Sequence, residues 1–384
     1  MALIPVRTTI FEDMSGRARA KGAINLGQGF PDSAGPASVR EAAARAIMDG
    51  PHHYPPMRGT DALRSSLAAF YASTQQLHYD PASEIVVTSG ATEALACAVL
   101  ALLRPGDAAI ILEPAYDAYG PLIRRAGANV QAVRLSPPEW RLTRAMLEAA
   151  VSPETRVIIV NDPVNPTGRS FTSAERAAVR DVAIAHDLVI IADEVWEEVR
   201  APESKHVSLA ADPALWDRVV KIGSAGKIFQ VTGWKVGWML AARPLADRLA
   251  ATHQFITFTT PPALQQAVAE GLAGERAWLD HMRADIAAGR AHLADGLQAA
   301  GYAVLPSDAT WFLSIDLEAS GIAMADGDFC QWLVETHGVA GIPVSAFFET
   351  ECAPQSVVRF CHAKASDTIA LALPRLAAAR QALV

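Results

Sequence analysis

Cysteine is scarce in this 384-residue chain, and the four present (Cys97, Cys330, Cys352 and Cys361) have no metal-ligand spacing. Cys361 and His362 are neighbours, but two residues do not make a zinc site, so no metal is expected. A chain of this length has no need of disulfides to hold a core together. Positive charge is in deficit: 33 lysines and arginines face 41 aspartates and glutamates, a formal net charge of −8. Without clustered basic residues to neutralise phosphates, general nucleic-acid binding is excluded. Long apolar runs are missing as well. The most apolar helix-like stretch, ALACAVLALL from Ala94 to Leu103, is too short to span a bilayer, so no membrane partner is expected. Arg7, Glu12, Asp13 and Arg17 interrupt the N-terminal stretch before it reaches signal-peptide length, which makes a cytoplasmic enzyme the expectation.

What the chain does have is a recurring unit of short apolar run, turn and helical pattern. EIVVTSG leads into ATEALACAVLALL, and RVIIVNDPVNPTG leads through a helical pattern to LVIIADEVW and then RVVKIGSAGK. Continuous β-branched runs bounded by Gly, Pro and Asp imply strands buried on both faces, and their alternation with helices implies a parallel sheet. Ligands of such sheets gather beyond the carboxyl ends of the strands. Ser89, Glu113, Asn161, Asn165, Asp193 and Ser224 fall there. From about Glu270 the pattern changes to one long helical stretch followed by shorter strands such as WFLSIDL and SVVRFCHA. The expected organisation is an N-terminal arm and part of a small domain over 1–40, a large domain over 41–270 and a C-terminal small domain over 271–384.

Two lysines, Lys227 and Lys235, stand among glycines and apolar residues in SAGKIFQVTGWKVGW. A nucleotide phosphate loop does not explain them. That loop needs four residues between its glycines and a hydroxyl residue after the lysine, whereas Gly223 and Gly226 are separated by two and Ile228 follows Lys227. Three other strand-end motifs accompany the lysines. SGATEA (Ser89 to Ala94) is a glycine turn opening a helix, whose free N–H groups suit a phosphate. NPTG (Asn165 to Gly168) presents an amide before a proline-fixed turn, and ADEVW (Ala192 to Trp196) ends a buried strand with a carboxylate. Each alone is an ordinary cap, turn or strand end.

Taken in order, SGAT, NPTG, DEVW, SAGK and GWKVGW resemble the pyridoxal-phosphate-dependent aminotransferases of fold type I, in the branch of the kynurenine/glutamine and methionine aminotransferases. The resemblance extends from INLGQGFPD to VRFCHAK. It implies an α/β fold with a large domain, whose mostly parallel central sheet is flanked by helices, plus a smaller α+β domain. It also implies a pyridoxal 5′-phosphate cofactor, an L-amino acid and a 2-oxo acid as substrates, and a homodimer with active sites shared across the interface.

By this resemblance Lys227 forms the Schiff base with the cofactor and later moves a proton at the substrate α-carbon. Asp193 pairs with the pyridine nitrogen, Asn165 bonds the ring oxygen, and the ring of Tyr116 stacks on the pyridine. Lys235 and Ser224 hold the phosphate with the helix start at Gly90, Ala91 and Thr92. Tyr54 reaches the phosphate of the neighbouring subunit, and Phe258 lies at that subunit's site. Arg359 grips the substrate carboxylate bidentately, with the backbone of Gly29 beside it. Phe11, Phe30, Tyr116 and Phe258 are expected pocket walls. No second arginine dedicated to a dicarboxylate is evident, so neutral, aromatic or sulfur-containing amino acids are expected.

One position departs from the family's DEVY motif: Trp196 replaces the tyrosine. Its indole donates but cannot accept, so it either replaces the phenol at the ring oxygen or turns away and leaves Asn165 alone. Two rival functions keep the cofactor. One is a cysteine-conjugate β-lyase. The other is a pyridoxal-phosphate-sensing regulator, for which a DNA-binding module ahead of Ile24 is expected and finds no room.

Overall fold

The computed structural model describes residues 9–349 and 353–383; Cys352 and the first eight residues lie outside them. The chain begins with the helix Ile10–Lys21, opened by Thr9, whose Oγ1 accepts the Glu12 N–H at 3.3 Å, and closed by Gly22 at φ 57°. A two-residue strand follows, β1 (Ile24–Asn25).

The central sheet has seven strands: β2 (Ile85–Thr88), β3 (Ala108–Glu113), β4 (Asn129–Arg134), β5 (Thr155–Asn161), β6 (Val189–Asp193), β7 (Val219–Ser224) and β8 (Gly237–Leu240). Their spatial order is β2-β8-β7-β6-β5-β3-β4. All pairings are parallel except those of β8, which runs antiparallel to both neighbours. The runs of Val and Ile are buried on both faces, because helices such as Ala91–Leu102 and Ser173–Ala185 cover the sheet.

A smaller antiparallel sheet in the order β12-β13-β10-β9 joins β9 (Ala303–Val304), β10 (Phe312–Asp316), β12 (Ile342–Pro343) and β13 (Val357–Cys361). Strand β11 (Val339–Ala340) pairs in parallel with β1. The N-terminal helix thereby joins the smaller core through Met14 and Ala18. One 24-residue helix, Arg276–Ala299, bridges the two cores. Its first half places Leu279, Met282 and Ile286 in the larger cluster, and its second half places Leu293 and Leu297 in the smaller one. No helix among the described residues is long and apolar enough to cross a membrane.

A buried charge cluster ties the middle of β7 to the segment that follows β6. The ammonium of Lys221, with no exposed surface, contacts Glu194 Oε2 and lies 2.7 Å from Glu197 Oε2. Tyr71 donates to Glu197 Oε1 at 2.6 Å and accepts from Trp238 Nε1 at 2.9 Å. Ser208 Oγ and the Leu209 N–H donate to Glu194 Oε1, and His206 lies 2.9 Å from Oε2. Glu194, Glu197 and His206 bring ligand atoms within 4.8 Å of one another, and the cation among them is the lysine itself. Burial alone would raise the Glu194 carboxyl, but Lys221 and His206 outweigh it and hold the group well below the usual range.

Removing that lysine strands two carboxylates. Lys221→Met is expected to cost about 3–5 kcal/mol at neutral pH, read from urea unfolding. A carboxyl depressed in the folded state stabilises above its unfolded pKa and loses that contribution in acid, whereas a stranded one does the reverse. The gap between variant and wild type therefore narrows as pH falls toward ~4, where the stranded carboxylates of the variant protonate, and narrows further below it, where the wild-type Glu194 protonates. A gap independent of pH would overturn this account of the cluster.

Candidate functional site

A cavity of about 240 Å3 opens beyond the carboxyl ends of the parallel strands. Strand β8 runs the other way, so the segment entering it arrives at the same edge: Gly237 stands opposite both Thr88 and Ser224. This brings Lys235 to the start of the helix Ala91–Leu102. That helix follows Gly90 at φ 82° and has no side-chain cap. A Cβ on Gly90 would lie 3.0 Å from Cε and 3.2 Å from Nζ of Lys235, and one on Gly237 would lie 2.7 Å from the Ala91 nitrogen. The two glycines let an ammonium approach a helix start whose N–H groups at Ala91 and Thr92 are open. Ser224 and Thr232 line the same cavity. Open N–H donors, a helix dipole and a cation together form a site for a phosphate.

Asp193 closes β6 and is 4% exposed. Tyr119 Oη donates to its Oδ2 at 2.5 Å, while Oδ1 is buried and has no partner among the described residues. Burial pushes this carboxyl up to about 6, against the opposing pull of the Tyr119 hydrogen bond, the Val195 N–H and Lys227. An unpaired buried carboxylate oxygen calls for a cationic donor, and a protonated pyridine nitrogen is one. Asn161 steadies both neighbours: its Nδ2 donates to the Asp193 carbonyl at 2.9 Å, and its Oδ1 accepts the Asn165 N–H at 2.7 Å. Burial lowers Lys227 to about 8; Asp193 and Cys361 oppose that fall, and Arg359 and Lys235 add to it. An amine so placed exchanges protons near neutral pH. The phosphate cradle, the open carboxylate and the lysine fit pyridoxal 5′-phosphate.

Arg359, on β13, is 1% exposed. Its Nη1 donates to Asn165 Oδ1 at 2.8 Å and its Nη2 to the Gly27 carbonyl at 2.9 Å, while Nε is buried without a partner among the described residues. The guanidinium carbon lies 3.8 Å from the ring centre of Phe312, 5.0 Å from Phe347 and 5.4 Å from Phe11. Burial brings its pKa down to about 9, which leaves it charged at neutral pH. Gly29 is glycine for a local reason: a Cβ there would meet Phe312 Cζ at 2.6 Å.

Tyr116 lines the cavity, edge-on to Tyr119 at 5.7 Å, and burial raises its phenol pKa. Trp196 lines the cavity, is 3% exposed, and lies with its ring 4.5 Å from Lys227 Nζ. Tyr54 and Phe258 are elsewhere. They pack edge-to-face at 5.7 Å on the surface, Tyr54 85% exposed. Phe30 is also exposed, its ring under Lys364 Nζ at 4.5 Å. Sequence reasoning missed Tyr119, Thr232, Trp311 and the steadying role of Asn161. Tyr119 carried no signal beyond its place three residues after Tyr116, where its helix begins.

Comparison with known proteins places the chain among aminotransferases. The family model for aminotransferase class I and II matches residues 21–375. The chain is similar to the probable N-succinyldiaminopimelate aminotransferase DapC of Mycobacterium tuberculosis, 40% identical over 97% of this chain and 96% of that relative. It is similar to the methionine aminotransferase of Escherichia coli, 37% identical over 96% of this chain and 95% of that one. The solved structure of the M. tuberculosis N-succinyldiaminopimelate aminotransferase superposes with a TM-score of 0.95 at 39% identity, covering 98% of this chain and 100% of that chain.

A carboxyl raised in the folded state costs stability once pH passes its unfolded value of ~3.9, and the cost is complete above about 6. Asp193→Asn is therefore expected to make the cofactor-free protein more stable by about 1–3 kcal/mol near pH 8, with no gain near pH 4. Urea unfolding at the two pH values checks this. Equal effects at both would mean that Oδ1 is already compensated.

Proposed function

The chain belongs to the aminotransferase class I and II family, whose members use pyridoxal 5′-phosphate, and from this premise we propose that it transfers the amino group of a neutral, aromatic or sulfur-containing L-amino acid to a 2-oxo acid. The observation that carries the substrate class is the setting of Arg359. One guanidinium is available for one carboxylate, and the surfaces around it are the rings of Phe11, Phe312 and Phe347. Such walls favour an apolar side chain over a second carboxylate, whose charge they would desolvate without a partner.

When bound, the cofactor supplies an aldehyde that takes up amino groups and a cationic ring that draws negative charge from the substrate α-carbon. The chain's residues divide the remaining tasks. Lys227 would hold the cofactor covalently and, once displaced, carry the proton at the α-carbon. Asp193 would accept from the ring nitrogen through Oδ1, held by Tyr119. The Oδ1 of Asn165 is taken by Arg359, which leaves its Nδ2 as the donor for the ring oxygen, with Trp196 beside it. Tyr116 would stack on the ring, and Lys235, Ser224, Gly90, Ala91 and Thr92 would hold the phosphate. Arg359 and Gly29 would receive the substrate carboxylate.

A homodimer is part of this reading, with Tyr54 reaching the neighbour's phosphate and Phe258 its substrate. Their surface exposure supports it, as does the left-handed backbone of Phe258, φ 65°, a strained conformation for an aromatic residue. A large domain over 41–270 and a small one over 271–384 are part of this reading; the second apolar cluster, built from Met14, Ala18, Leu26 and residues from Leu293 onward, supports it, while Leu305, Trp311 and Phe312 pack into the larger cluster. A cytoplasmic setting is supported by the free thiols of Cys97, Cys330 and Cys361. The likeness to the N-succinyldiaminopimelate enzyme favours a second reading, an acidic acylated diamino acid as donor.

The absorbance of the purified holoenzyme, with single amino acids and no 2-oxo acid added, distinguishes these readings. Conversion of the cofactor band by methionine or phenylalanine but not by aspartate is expected. Conversion by N-succinyldiaminopimelate alone would overturn the substrate class and leave the aminotransferase intact. Pyruvate and ammonia from a cysteine conjugate, without conversion, would indicate the β-lyase. Tyr54→Phe is expected to weaken cofactor binding about tenfold or more, the cost of a hydrogen bond to a charged group. Unchanged affinity in a protein shown to be dimeric by light scattering would remove Tyr54 from the site.

A further inference from the structure

Lys227 is bracketed by two indoles. Its Nζ lies 4.5 Å from the ring centre of Trp196 and 4.8 Å from that of Trp311. The two rings meet nearly at right angles (86°) with centres 4.9 Å apart, and Phe312 supports Trp196 from a third side at 5.5 Å. The two come from different parts of the fold. Trp196 follows β6, whereas Trp311 precedes β10 of the smaller sheet and has no exposed surface. Trp311 is delivered by a strained turn: Thr310 has φ 64°, its N–H donates to the Val199 carbonyl at 2.7 Å, and Ala309 bridges Arg200. The loop that carries Trp196 is thus stitched to the segment that carries Trp311.

The chemistry of Trp311 points the same way. Its Nε1 is buried and makes no hydrogen bond to another described residue, so no protein acceptor accounts for an indole at this position. What tryptophan supplies beyond phenylalanine is the stronger π face for a cation. We propose that Trp311, with Trp196, forms an aromatic box that holds the side-chain nitrogen of Lys227 as a cation, which makes Trp311 a positioning residue of the site. This rests on the reading of Lys227 as the cofactor-linked lysine. The box acts among four other groups that face Lys227: Asp193 and Cys361, which favour its charge, and Arg359 and Lys235, which oppose it. Burial lowers the amine to about 8, so the π faces help keep the cation populated at neutral pH while the nitrogen remains easy to deprotonate.

The test is a pH titration of the holoenzyme, following the absorbance change that reports protonation at Lys227 Nζ in the cofactor-linked state. Trp311 is the residue to change, because Trp196 also faces the cofactor cavity. In Trp311→Leu the midpoint is expected to fall by about 0.4–1.5 pH units, the equivalent of one cation–π contact. In Trp311→Phe, which keeps a weaker π face, it is expected to fall less. A midpoint unchanged in both variants overturns the box, and so does one that rises, since a rise would mean that the indole acted only by excluding water. If Trp311→Leu does not fold, Trp311→Phe carries the test alone, and an unchanged midpoint there overturns the proposal. Lys227→Ala separates the two layers of inference. If that variant keeps the titrating band, the assignment of Lys227 fails; if it loses the band while the Trp311 variants titrate like wild type, only the box fails.

Discussion

Three cations, Lys227, Lys235 and Arg359, act on one region, where Asp193 answers Lys227 and Asp117 answers Arg359. This imbalance is the constraint on which the rest of the site depends. Like charges repel, most strongly where burial is complete, as at Arg359, and least at Lys235, which is exposed to solvent. The fold separates their duties by geometry. Lys235 is turned to a helix start and Arg359 is bonded to Asn165 and Gly27, so Lys227 is the amine left nearest Asp193's influence. A phosphate at the helix start and a carboxylate at Arg359 are the anions that would restore balance. The ligand-free protein is therefore less favourable electrostatically than the loaded one, and affinity for the cofactor draws on that difference.

The separation also explains why the site needs two cores. Asp193, Ser224 and Lys227 stand at the ends of strands in the larger sheet, while Arg359, Phe312 and Trp311 come from the smaller one. The helix Arg276–Ala299, with apolar residues in both clusters, fixes their spacing. Direct stitches reinforce it, among them the Asp308 and Ala309 N–H groups on the Gly168 carbonyl and Ser170 N–H on Asp308 Oδ1. A substrate carboxylate at Arg359 and a cofactor at Lys227 thus belong to different halves of the molecule, and the Asn165–Arg359 hydrogen bond links those halves at the site.

Residues governed by local chemistry were legible in the sequence. The β-branched runs announced β2, β5, β6 and β7, and the motifs at their ends supplied the cavity from Gly90 to Lys235. What was hidden depends on partners far away in the chain. Lys221 reads as an ordinary lysine until Glu194 and Glu197 close around it. Tyr119 is unremarkable until its hydroxyl reaches Asp193, 74 residues on. Strand β8 is four residues long, and its antiparallel direction follows from pairing rather than from composition. The two residues of β1 acquire a place through Val339 and Ala340, at the opposite end of the chain. Trp196 could be seen as a departure but not located, because its neighbours Trp311 and Phe312 lie more than a hundred positions later.

Backbone strain marks the same boundary between local preference and function. Gln230, Lys235, Phe258 and Thr310 all have φ between 54° and 65°, where a side chain is disfavoured and glycine would be comfortable. Lys235 shows why the strain is retained. Glycine at that position would relieve the turn but remove the ammonium from the helix start. Its neighbours solve the opposite problem: a Cβ on Gly237 would collide with the Gly90–Ala91 backbone, and Gly90 has φ 82°, with a Cβ there pressing on the Lys235 side chain. One strained lysine between two obligatory glycines is the arrangement that lets a cation and open N–H groups face the same anion. Thr310 repeats the logic on the other side of the cavity, where a left-handed residue turns the chain so that Trp311 enters beside Lys227. In both cases a local cost of ~1–3 kcal/mol is sustained by packing around it, and what it secures is the position of a group that faces the lysine or its ligand.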